Sequence, residues 1–251
     1  MKLGIVGKGG VGKTTVSSLL ARAYVRRGAT VVAIDTDSNP NLGVSLGLTL
    51  SETEAVPLLP RSVMVGAGGD VTAEELIAGY GRATPVGATL LSAIRVTEAG
   101  AGCTCSGHAT VRSLLGEALE QHADVTLVDM EAGLEHLSRS GGTLAYADVL
   151  LIVIEPSRKS VVTAARTVAL ADELGIDRVY GVGNKARLPE DASFFADVTA
   201  EYGIELAGVI PHHPAVAEAD RNGVAVSAEP PQPVRDAVDR IIVLLEGVPV
   251  G

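Results

Sequence analysis

The stretch "GIVGKGGVGKTTVSSLL", residues 4–20, decides how the rest of the chain is read. The apolar run "KLGIV" at 2–6 leads into it as a buried strand. Val16, Leu19, Leu20, Ala23 and Val25 then follow at helical spacing, up to Gly28. Between strand and helix, Gly7 and the triplet Gly12-Lys13-Thr14 fit the G-x-x-x-x-G-K-[ST] pattern of a phosphate-binding loop. Glycines let successive backbone N–H groups converge on phosphate oxygens, and the helix N-terminus adds partial positive charge. Gly9, Gly10, Val11, Gly12, Lys13, Thr14 and Thr15 are therefore the expected nucleotide contacts. Lys13 would reach the β- and γ-phosphates, and the Thr14 hydroxyl would ligate Mg²⁺. One lysine suffices for that work, so Lys8 at the start of the loop needs its own explanation.

Outward from the loop, strand-like and helix-like runs alternate to the end of the chain. That alternation predicts an α/β fold, a mostly parallel twisted sheet with helices on both faces. Strands are expected at 30–35, 125–130, 149–155, 178–185 and 205–211, and helices over about 107–121, 158–174, 190–202 and 232–246. No repeat, linker or composition break divides the 251 residues, so a single P-loop ATPase domain over 1–251 is the expectation. Residues 50–106 are the exception: Gly, Ala, Pro and Thr are scattered there with weak periodicity, which predicts an irregular insertion or a mobile surface on the nucleotide side, with the Cys-x-Cys loop at its end.

Phosphoryl transfer also needs carboxylates near the metal. "AIDTDSN" ends one strand with Asp35 and Asp37, and "TLVDMEAG" ends another with Asp129, at the strand tips where open α/β sheets bind ligands. Asp129 reads as an outer-shell Mg²⁺ ligand, Gly133 as a backbone sensor of the γ-phosphate, and Asp37 as the group that orients attacking water. Asp35 is either a further Mg²⁺ ligand or a helix cap. In "GVGNKA" (181–186), Asn184 carries a donor and an acceptor in one plane, as pairing with an adenine edge requires. Lys185 and Pro211 complete the expected base end, and His212-His213 would at most line it.

The formal charge of −10, from 20 Lys+Arg against 30 Asp+Glu, disfavours a nucleic-acid partner. No apolar run reaches the ~18–20 residues of a membrane span. The last helix sets Arg235 and Arg240 against Asp236, Asp239 and Glu246, which is not the basic face of a membrane-surface helix. Cytoplasmic residence is the expectation.

Together these motifs resemble the deviant Walker-A ATPases, the group of septum-site and partition ATPases, the nitrogenase iron protein and metal-centre maturation factors. In that family the second lysine, here Lys8, crosses a dimer interface to the partner's phosphates, which implies an ATP-dependent homodimer. A cation supplied in trans stabilises transition-state charge only when the dimer is closed. Within the group, "DTDSNPNLGVSLGL", "GAGCTCSGHATVRSLL", "VDMEAGLEHLSRS", "VIEPSRKSVVTA" and "GNKA" resemble the CooC-type carbon monoxide dehydrogenase accessory ATPases. The resemblance implies ATP/ADP and Mg²⁺ as cofactors, nickel as cargo and a carbon monoxide dehydrogenase as client.

Cys103 and Cys105 are the chain's 2 cysteines. Two sulfurs cannot close a tetrahedral site, but a symmetric dimer supplies four. Such a set would take Zn²⁺ or Ni²⁺, and softness alone does not choose between them; nickel rests on the resemblance. Small buried hydrophobes and a redox dithiol are the other readings of the pair, and His108 is a transient ligand or a helix cap. A spatial-organising ATPase of the septum or partition type would want a basic face, which the charge balance disfavours. A maturation ATPase for a different metalloenzyme would carry the same loop. An iron–sulfur ATPase would draw its cysteines from two separate segments.

Overall fold

The apolar run at the N-terminus forms β1 (Lys2–Gly7), and the quoted stretch continues into α1 (Lys13–Arg26). The computed structural model describes residues 1–60, 71–95, 111, 114–115, 119, 122–131, 146–225 and 228–247. After α1 the described chain forms β2 (Val31–Asp35), α2 (Leu42–Ser45), α3 (Leu50–Glu54), α4 (Ala73–Tyr80), β3 (Arg82–Ala83), β4 (Thr89–Ser92) and β5 (Val125–Asp129). It continues with β6 (Val149–Ile154), α5 (Arg158–Glu173), β7 (Val179–Ala186), α6 (Pro189–Glu201), β8 (Glu205–Pro211), α7 (Pro214–Arg221) and α8 (Gln232–Leu245).

The strands build one 8-stranded sheet in the order β3-β4-β2-β5-β1-β6-β7-β8. All neighbouring pairs run parallel except β3 with β4. From β1 the chain winds out to β2 and β4 and returns to β5. It then crosses to β6, β7 and β8 on the other side, so winding reverses around β1 and opens a crevice above the strand tips. Both faces are covered, which is why "VLLIVI" in β6 is apolar throughout rather than alternating. Leu151 and Val153 face the core shared with α1 and α8, where Leu20, Val238 and Ile241 are buried. Leu150, Ile152 and Ile154 face the opposite core with Val161 and Phe195. The last helix thus buries Val234, Ala237, Val238, Ile241, Ile242 and Leu245 in protein.

The expected strands match within about one residue, and the helices at 158, 190 and 232 do as well. The helix expected over 107–121 falls mostly outside the described residues. The described part of 50–106, residues 50–60 and 71–95, is more regular than expected. It contains α3, α4 and β3, and β4 is an interior strand paired with β2 through Val32↔Thr89 and Asp35↔Ser92. The cause is brevity: a four-residue strand shows no full period, and Gly87 and Pro85 beside it read as loop. Capping boxes, Thr49 with Glu52 and Thr72 with Glu75, were the signal for the two helices.

Candidate nucleotide site

The loop between β1 and α1 is shaped by backbone requirements that glycine meets. Gly7 has φ 147°, and a Cβ there would lie 2.6 Å from the Val153 carbonyl oxygen. Gly12 caps α1 in the left-handed region at φ 95°, and a Cβ there would strike the Asn184 side-chain amide. α1 has no side-chain cap and no acidic residue in its first turn. Most helices satisfy their first N–H groups with such a cap; here those donors stay open to an anion.

Under the loop, the sheet supplies the carboxylates. Asp129 is 2% exposed at the tip of β5; it accepts hydrogen bonds from the Ser17 hydroxyl at 3.1 Å and from the Thr14 hydroxyl. Burial pushes its carboxyl up to about 6, against the opposing pull of the Thr14 hydroxyl, Lys13 and Ser17. Asp35 is its register partner on β2. Burial, followed by the charge of Asp129, pushes Asp35 to about 7. Burial lowers Lys13, while Asp129, Asp37 and Glu131 hold it up. A buried carboxylate hydrogen-bonded to a threonine hydroxyl is a hard, oxygen-only donor set, which fits Mg²⁺. Thr14 would hold the ion directly and Asp129 through its neighbours. The ion would supply charge neutralisation across the β- and γ-phosphates.

Asp35 does not present free oxygens to that point. One accepts from the Asp37 N–H at 3.0 Å and the other from the Leu42 N–H at 2.9 Å, so the side chain fastens the 37–42 loop at the start of α2. Of the two readings of Asp35, the cap is the one its geometry supports. That fastening matters because the loop carries Asp37, which faces the cavity, and Ser38, which donates to Glu131 at 2.6 Å. Thr36 ties the same loop to β5, donating from N–H and hydroxyl to the Asp129 carbonyl at 3.0 and 2.9 Å. With a further contact from the Thr36 hydroxyl to the Met130 sulfur, four hydrogen bonds join the segments that follow β2 and β5. Ser38 was not singled out from the sequence, since it is an ordinary polar residue until the strand tips are placed side by side; Glu131, an acidic residue at a strand end and so readable as a helix cap, is instead the acceptor of the Ser38 hydroxyl.

A cavity of about 510 Å³ runs from the loop toward the tip of β8. Gly9, Gly10, Gly12, Lys13, Thr14, Thr15, Asp37, Asn184, Lys185 and Pro211 all line it, as do His212 and His213. Arg187, just after β7, and Val216 and Asp220, on α7, also line it and were not anticipated; α7 is only eight residues long and buries none of them fully. Val11 lies beneath the loop, fully buried. One N–H of the Asn184 amide donates to the Val11 carbonyl at 2.8 Å, so the side chain is tied to the loop with its second N–H and its oxygen left over. His213 caps α7, its Nδ1 accepting from Ala215 N–H at 3.2 Å. Lys8 does not line this cavity, and its side chain makes no hydrogen bond or ion pair with a described residue.

Gly133, Cys103, Cys105 and His108 lie outside the described residues. Among the described residues no group of three or more His, Cys, Asp and Glu could hold a metal ion, and no helix is long and apolar enough to cross a membrane.

The family model described as the CobQ/CobB/MinD/ParA nucleotide binding domain matches residues 5–226. The carbon monoxide dehydrogenase accessory protein CooC of Rhodospirillum rubrum is 38% identical over 239 residues, covering 90% of this chain and 89% of the relative. An uncharacterised ATP-binding protein of Methanocaldococcus jannaschii is 35% identical, covering 91% of this chain and 92% of its own length. Among solved structures, the MinD cell division protein of Aquifex aeolicus superposes with a TM-score of 0.71 at 20% identity, over 100% of this chain and 98% of that one. This last likeness concerns the fold.

Proposed function

The chain belongs to the CobQ/CobB/MinD/ParA family of nucleotide-binding ATPases, and from that premise we propose that it is an accessory ATPase that loads metal into a carbon monoxide dehydrogenase. Each subunit binds ATP with Mg²⁺ through Lys13 and Thr14, and Asp37 orients the attacking water. Lys8 reaches the partner's phosphates, so hydrolysis belongs to a closed homodimer. Cys103 and Cys105 of two subunits carry Ni²⁺ as cargo, with Zn²⁺ as the competing ion. Opening after hydrolysis hands the metal to the client in the cytoplasm. Coupling requires that the closed and open states differ in affinity for the metal.

The observation that carries this reading is the 38% identity, over nine-tenths of both chains, to a protein named for that accessory role. Lys8, which does not line its own cavity and makes no side-chain hydrogen bond or ion pair with a described residue, supports the trans arrangement. The test is particle mass and bound metal, measured with and without ATP. A dimer that appears with ATP and metal, and nickel that disappears in Cys103→Ser/Cys105→Ser, are the expected results. A chain that stays monomeric with saturating ATP, Mg²⁺ and Ni²⁺ would refute it, as would a double serine variant binding nickel like the wild type.

A further inference from the structure

A phosphate-binding loop turns its N–H groups inward, and its carbonyl groups must then point outward and find donors elsewhere. Here two consecutive loop carbonyls find them on two consecutive residues of one strand. Asn184 Nδ2 donates to the Val11 oxygen at 2.8 Å, and Lys185 Nζ donates to the Gly10 oxygen. Neighbouring residues of a regular strand point to opposite faces, so they could not both reach the same loop. β7 departs from regularity at this place. Its register with β8 shifts between Gly183 and Ala186, and Lys185 adopts φ 62°, alone among described non-glycine residues in having positive φ. For a lysine that backbone is strained, and strain at one position beside a ligand site asks for a compensating contact. The contact is the loop. Lys185 also lies 4.0 Å from Glu155, at the exit of β6, which draws its ammonium toward the same side.

We infer that Asn184 and Lys185 are positioning residues for the phosphate loop: they hold its carbonyls outward and so pre-set its N–H groups for the triphosphate. The inference rests on the ATPase reading above and gives Asn184 a duty other than the adenine pairing expected from the sequence. A base-reading residue changes the choice between purines. A loop-positioning pair weakens every ligand with the same phosphate chain by the same factor, whatever base it carries.

The experiment is displacement of a fluorescent ATP analogue by ATP, GTP and base-free tripolyphosphate, for wild type, Lys185→Met, Lys185→Gly and Asn184→Ala. Lys185→Met keeps the alkyl stem and the backbone strain but loses the donor. Its side chain is 40% exposed, so the fold should tolerate the change. Lys185→Gly removes strain and donor together. All three variants should bind all three ligands about five- to tenfold more weakly, with the ATP-to-GTP ratio unchanged within threefold. Lys185→Arg should restore most of the loss. A ratio that moves more than threefold, undiminished tripolyphosphate binding, or a Lys185→Met variant with wild-type affinity would overturn the inference. Wild-type protein that fails to bind ATP would instead overturn the ATPase reading itself.

Discussion

Replacing Asp129 by Asn should make the metal-free protein more stable and the enzyme nearly inactive. The carboxyl is completely buried and is pushed from an ordinary 3.8 to about 6, chiefly by burial. A folded value above the unfolded one means that the native state binds the proton more tightly. The associated stability is fully present below about pH 4 and is lost as pH rises through about 6. A shift of roughly two units corresponds to roughly 3 kcal/mol of destabilisation at pH 8. Asn removes that cost and also the charge that helps to raise Asp35. Its amide oxygen still accepts one hydroxyl, and Ser17 retains the Lys13 carbonyl at 3.0 Å, so the hydrogen-bond loss is about 1 kcal/mol. The net expectation is a gain of about 2 kcal/mol at pH 8, falling to about 0.6 kcal/mol at pH 5, where the burial cost has halved and the hydrogen-bond loss has not. Urea denaturation of nucleotide- and metal-free protein at the two pH values measures it. Mg²⁺-dependent ATP hydrolysis should fall by ~10²-fold or more, since the negative charge behind the Thr14 hydroxyl is gone. An Asp129→Asn protein less stable than wild type at pH 8 would refute the claim that this carboxylate is held at a cost to folding.

Other perturbations test neighbouring parts of the site. Gly12→Ala places a Cβ against the Asn184 amide on a left-handed backbone, so nucleotide binding should be lost in titration calorimetry while the circular dichroism stays native. Lys8→Ala should leave ATP affinity within about threefold but abolish nucleotide-dependent dimerisation in sedimentation, as expected for a cation that acts in trans. Phe195→Ala empties the space beneath Gly183, where the ring is fully buried, and should cost about 3–5 kcal/mol in urea denaturation. Saturating ATP should return part of that loss by mass action.

How much of the site was readable depended on how local each feature was. The phosphate loop is eight consecutive residues with a strand before and a helix after, and each of its signals acts over one or two turns of chain. Asp37, Asp129, Asn184 and Pro211 were legible because each ends an apolar run, and strand ends in an open parallel sheet share one crevice. β4 was not, because four residues close behind Pro85 and Gly87 carry too little pattern to outweigh those turn-like neighbours. α7 was not, because eight residues span little more than two turns, too short for a helical period to stand out.

The sequence by itself therefore determined the class of fold, the phosphate loop and the family, since all three rest on residue order along short stretches. Tertiary structure alone decided the duties of individual polar groups. Asp35 became a fastener for the 37–42 loop because two backbone N–H groups reach its oxygens first. Asn184 became a brace for the phosphate loop because an irregular turn of β7 aims it at the Val11 carbonyl, 173 positions away in the chain. A hydrogen bond is set by distance and direction in space, and no periodicity along the chain encodes a partner so remote.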